Sequence, residues 1–125
     1  MVRRLILDTN VLIDYERGHL DLAAIDEDQV AIAAITVAEY RTGIELADSA
    51  ERAADRARAL ALITDAIEVL DYTEATAVQH ARLMAHTRRS GTNRGAHDLV
   101  IAAHAAQTGR VVFSRDAPAK FADLP

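Results

Sequence analysis

The chain of 125 residues predicts an α/β fold: one largely parallel sheet covered by helices on both sides. Three observations predict it. Short apolar runs alternate with stretches of helical periodicity along the whole length, the pattern of strand–helix–strand units. Half of the residues are apolar, dominated by Ala, Leu, Val and Ile with only 4% aromatics, a composition suited to helices packed closely on a sheet. Finally, four acids, Asp8, Glu39, Asp98 and Asp116, each follow an apolar run where it gives way to a helix. In an α/β fold the carboxyl ends of parallel strands gather along one edge, where ligands bind, so acids distant in sequence can meet there.

The first strand is Leu5-Ile6-Leu7, and a helix follows from Asn10 that falters before Gly18, with Asp8 at the junction. After the acidic stretch Asp26-Glu27-Asp28, residues 30–35 read as a second strand. Thr36 then reads as a helix N-cap whose third following residue is Glu39, the spacing of a capping box. Val37, Tyr40, Ile44 and Ala47 continue at helical intervals, and a further helix from Ser49 keeps its charges on one side, predicting an antiparallel pair. Ile67-Glu68-Val69-Leu70 is a third strand, followed by Thr73 as N-cap of a helix reaching Ser90. The stretch from Ser90 to Gly95 is a loop. Residues 96–108 are apolar almost all round, a helix buried on most sides with Asp98 in its first turn and Gly109 at its end. Val111-Val112-Phe113 is a fourth strand, and Ser114-Arg115-Asp116 leads into a last short helix at 118–121.

Length and apolar content fit one domain, residues 1–125, with one real core. A net charge of −5 argues against a protein that coats nucleic acid with a broad basic face, but not against a local site where cations offset carboxylates. The absence of cysteine excludes disulfides, thiolate nucleophiles and Cys-ligated metal centres. Asp8 interrupts the initial apolar run after three residues, short of the ~7 of a signal-peptide core, and no segment is apolar enough to span a membrane. A soluble cytoplasmic protein is expected.

Each acid alone has an ordinary reading, because carboxylates at helix N-termini cap the backbone and complement the helix dipole. Four in one crevice would repel each other unless a cation neutralised them. An all-oxygen donor set favours a hard ion, Mg²⁺ or Mn²⁺, over zinc, with one or two ions in the site. Such ions polarise phosphoryl groups and activate water.

These residues resemble the PIN-domain ribonucleases, specifically the VapC-type toxins of bacterial toxin–antitoxin pairs, over essentially the whole chain. Leu5-Ile6-Leu7-Asp8-Thr9-Asn10-Val11-Leu12 is similar to the family's opening motif, and Ile35-Thr36-Val37-Ala38-Glu39-Tyr40 with Gly43 to its second. His97-Asp98-Leu99-Val100-Ile101-Ala102-Ala103 resembles the third, and Phe113-Ser114-Arg115-Asp116 with Phe121 the fourth. The resemblance implies a PIN-domain-like fold and catalysis by Asp8, Glu39, Asp98 and Asp116. Asp8 and Asp98 would hold the metal, with Glu39 and Asp116 completing the pocket directly or through water. Asn10 and Ser114 would hydrogen-bond these ligands from behind. The run from Asp116 to Phe121 is longer than the family pattern and carries no further acid, so Asp8, Glu39 and Asp98 form the core of the expected site. The resemblance also implies an endoribonuclease that inhibits translation, a homodimer in complex with a VapB-like antitoxin, and no membrane association.

Arg88, Arg89 and Arg94 flank the loop before Asp98, where they either hold an RNA backbone or lie on a solvated turn. His97 adjoins Asp98, but successive helical residues point in different directions, so a structural role is expected for it and for His19, His80, His86 and His104. Two rival functions remain. A catalytically silent PIN-like module would bind RNA or protein without cutting. A phosphatase with a nucleophilic Asp8 would usually carry a second Asp two residues on, where this chain has Asn10, and it would leave Glu39 unexplained.

Overall fold

The structure, a computed structural model, describes residues 2–18, 28–92 and 94–114. Its strands and helices alternate as β1 (Arg4–Leu7), α1 (Thr9–Glu16), β2 (Gln29–Ala33), α2 (Ala34–Glu45), α3 (Ala50–Ala66), β3 (Glu68–Leu70), α4 (Glu74–Ser90), α5 (Ala96–Thr108) and β4 (Val111–Phe113). Every strand pairing is parallel, in the order β3-β2-β1-β4, which puts β1 inside the sheet. Leu7 lies opposite Ile32 on one side and Phe113 on the other, so the carboxyl ends of three strands finish level with one another.

Strand periodicity of two divides β1 between two cores. Leu5 and Leu7 face a cluster with Val11 and Leu12 of α1, Tyr40 of α2, and Leu60 and Ile63 of α3. Ile6, between them, packs with Ala33, Ile101 and Ala105 against α5 on the opposite face. Burying both faces is what a parallel sheet requires, and it explains why β1 reads as an unbroken apolar run. Helix α4 lies outside α5, joined through Leu83, Met84, Leu99, Ala102 and Ala103. Among the described residues no helix is long and apolar enough to cross a membrane.

Local signals decide most boundaries. Ser49 caps α3 by accepting from the Arg52 backbone N–H. Thr73 and Thr76 cap α4 reciprocally. Gly91 and Gly109 end α4 and α5 with positive φ of 67° and 66°, a conformation that glycine adopts without steric cost.

One boundary differs from the sequence reading. Strand β2 stops at Ala33, which is itself the N-cap in extended conformation, and α2 begins at Ala34 with no intervening loop. Thr36 is therefore the third helical residue, not the cap, and its side chain turns into the core. The β-branched residues in 30–35 favour a strand locally, but the helix gains its buried face by starting three residues earlier. Glu39 consequently sits in the second turn of α2 and not at its entrance. The predicted helix at 118–121 lies outside the described residues, as do Asp116 and His19.

Candidate active site

Asp8 is the residue on which the level strand ends converge. It is the N-cap of α1, in extended conformation, and its Oδ1 accepts from the Thr9 backbone N–H at 2.7 Å. Its own N–H donates to the Phe113 carbonyl, which fixes the next residue along, Ser114, beside it. The Ser114 hydroxyl donates to the second carboxylate oxygen, Oδ2. At 6% exposure Asp8 is buried, and among the described residues both of its oxygens meet neutral donors and neither meets an Arg, Lys or His.

Glu39 comes to the same place from α2. Its Oε1 accepts from the Thr9 hydroxyl at 3.2 Å, so a single residue ties the two acids, by its backbone to Asp8 and by its side chain to Glu39. The other oxygen, Oε2, lies 3.1 Å from Nδ1 of His97, whose side chain is half exposed in the first turn of α5. Asp98, the next residue of that turn, is half-buried. Gly95 caps α5, and a Cβ on it would stand 3.1 Å from Asp98 Oδ2, so the carboxylate leans over this position more tightly than an ordinary Cβ contact.

Thr9 and His97 were not singled out as site residues by the sequence. Thr9 lies inside the first motif, and its role depends on Glu39 arriving from 30 positions away. Successive residues of α5 point in different directions, and Glu39 approaches from another helix on the His97 side. Asn10 is the second residue of α1 and half-buried. Arg88 and Arg89 are exposed in the last turn of α4, where cations complement the helix dipole, and Arg94 is half-buried ahead of α5. Behind Glu39, burial and the negative charge of Glu16 push the Tyr40 hydroxyl's pKa up, so it stays protonated.

The donor set suits a hard divalent ion in its chemistry. Among the described residues Asp8 is held by neutral donors, so no basic side chain offsets it there, and Glu39 stands one hydroxyl away. Among the described residues no group of three or more His, Asp or Glu side chains is placed to hold a metal ion together. Mg²⁺ does not need one, since it keeps several waters and binds through one or two carboxylates together with substrate phosphates.

Comparison with known proteins gives a consistent set of relatives. A family model described as PIN domain matches residues 5–124. Ribonuclease VapC5 of Mycobacterium tuberculosis is 35% identical over 111 residues, 89% of this chain and 82% of that protein. Among solved structures, VapBC-5 of the VapBC family of toxin-antitoxin systems, also from M. tuberculosis, has a TM-score of 0.75 at 36% identity, over 89% of this chain and 83% of that one. DNA-bound VapBC from Salmonella typhimurium has a TM-score of 0.78 at 28% identity, over all of this chain and 94% of that one.

Proposed function

Since this chain belongs to the PIN-domain family, among the VapC-type ribonucleases, we propose that it is a Mg²⁺- or Mn²⁺-dependent endoribonuclease, the toxin of a toxin–antitoxin pair. The observation that carries this reading is the coupling of Asp8 and Glu39 through Thr9 at the carboxyl edge of the sheet, with Asp98 on the neighbouring helix. Asp8, Glu39 and Asp98 would hold the ion, and Asp116 would complete the pocket. A bound Mg²⁺ or Mn²⁺ supplies Lewis-acid polarisation of a phosphodiester and activation of water.

The chain's own residues supply placement and charge. Ser114 and the Thr9 backbone N–H each engage one oxygen of Asp8, which stops the carboxylate from rotating. Thr9 and His97 do the same for Glu39. Asp8 is buried and without a basic partner among the described residues, so its charge is left for a cation to meet.

The likeness to VapBC structures supports a VapB-like antitoxin as partner. In this reading the toxin pairs as a homodimer inside that complex. Inhibition of translation through cleavage of cellular RNA, in the cytoplasm, completes the proposal. Asp8→Asn is expected to abolish metal-dependent RNA cleavage while the circular dichroism spectrum and antitoxin binding persist. An Asp8→Asn protein as active as the unaltered one, free of contaminating nuclease, would overturn it.

A further inference from the structure

Next to the acid pair the surface opens into a cleft of about 270 Å³. Thr9 and Glu39 line it, so the cleft adjoins the acid pair, and Glu16, Arg17 and Arg56 line it as well. The two cations differ in what they are already doing. Arg56 donates to the Gly43 carbonyl at 2.7 Å and lies 3.4 Å from Oε1 of Glu16, tying α3 to α2 and α1 and meeting the charge of Glu16. Arg17, the exposed C-cap of α1, has no side-chain partner among the described residues. It lies nine positions along the chain from Asp8, about 13.5 Å at the helical rise.

A polynucleotide carries a negative charge at every linkage, and phosphate contacts fix its register on a protein. A strand lying across Asp8 and Glu39 and continuing into this cleft would meet Arg17, a guanidinium without a carboxylate partner among the described residues. On a chain with net charge −5 such local cations decide where a strand can lie. We propose that the cleft is a flanking-phosphate subsite: Arg17 contacts a phosphodiester adjoining the one that is cut, and Arg56 holds the cleft walls in place. The inference rests on the RNA-cleaving reading above, and its contact is to backbone, so it adds affinity and register without base preference.

The test uses the full chain carrying Asp8→Asn, titrated with fluorescent single-stranded oligo(A) and oligo(U) RNA over a range of KCl concentrations. Adding Arg17→Gln is expected to weaken binding several-fold, equally for both RNAs, and to lower the slope of log affinity against log salt by about 0.7. Arg82→Gln, on an exposed position of α4, is the control and leaves the slope unaltered. A slope unchanged by Arg17→Gln, or no RNA binding at low salt, overturns the subsite while cleavage by the unaltered protein keeps the RNA reading standing. Absence of metal-dependent cleavage by the unaltered protein overturns both.

Discussion

The Ser114 hydroxyl donates to Oδ2 of Asp8 at 2.9 Å, joining residues 106 positions apart. The contact exists because β1 and β4 are parallel neighbours in register, Leu7 opposite Phe113, so the residues that follow each strand emerge side by side. A buried carboxylate on a short strand end is thereby held from two directions, by Ser114 and by the Thr9 backbone.

Groups that orient a metal-binding carboxylate typically contribute tenfold or more to metal affinity or activity. Ser114→Ala is therefore expected to lower RNA cleavage about tenfold, with partial recovery as the Mg²⁺ or Mn²⁺ concentration is raised. Initial rates measured across a metal titration check it. Unaltered rates at limiting metal would mean that Asp8 is positioned without the serine.

Gly95 has φ −63° and ψ 139°, a conformation open to alanine, so Gly95→Ala introduces no backbone strain. Its new Cβ would meet Asp98 Oδ2 at 3.1 Å and Cγ at 3.6 Å, and the carboxylate must shift by a few tenths of an ångström. Cleavage should fall several-fold, while stability should change by no more than roughly 1 kcal/mol, the scale of a changed N-cap. Paired activity and thermal-melting measurements separate the two effects. Full activity would show that Asp98 tolerates displacement.

Thr36 separates the sequence reading from the structure by the sign of one mutation. As an N-cap its hydroxyl would stabilise α2, and removal would cost about 1 kcal/mol. In the structure it is fully buried and its Oγ1 finds no partner among the described residues, a desolvated hydroxyl with nothing in return. Thr36→Val is expected to raise stability by about 1 kcal/mol, read from the urea midpoint. A lowered midpoint would restore the capping role.

His104 is buried on α5, with the ring of Tyr72 edge-on to it and also to His80, whose Nδ1 lies 2.8 Å from the Tyr72 hydroxyl. Burial first, and the nearby His80 second, lower the His104 pKa below its ordinary 6.5. The unfolded chain then binds a proton that the folded chain refuses, so this contribution to stability is complete above pH 6.5 and is lost as pH falls below it. Asp28, whose carboxyl is held low by hydrogen bonds from Arg3, acts only near and below its ordinary 3.8 and does not overlap that window. The melting temperature should decline from pH 7 to pH 5, and His104→Leu should flatten the decline. An identical slope in the variant would assign it to other groups.

The order and kind of the described elements were legible in the chain because they depend on local chemistry. Strand runs such as Leu5-Ile6-Leu7, caps such as Ser49 and Thr73, and glycines such as Gly109 act within a few residues of themselves. The acids Asp8, Glu39 and Asp98 could be singled out for the same reason, since each stands near the start of a helix after a strand or loop. The α2 boundary failed locally because Thr36 has the right chemistry for a cap, and only packing of α2 against the sheet assigns it to the interior.

Thus the sequence by itself determined which segments become strands and helices and which acids are available for chemistry. Only the tertiary structure decided the order β3-β2-β1-β4, and with it that Asp8 meets Ser114, that Thr9 bridges to Glu39, and that His97 faces that same carboxylate. The physical reason is range. Hydrogen-bonding propensity and side-chain period act along a few residues, whereas the neighbours of a buried carboxylate are chosen by how two faces of one sheet can both be covered at once.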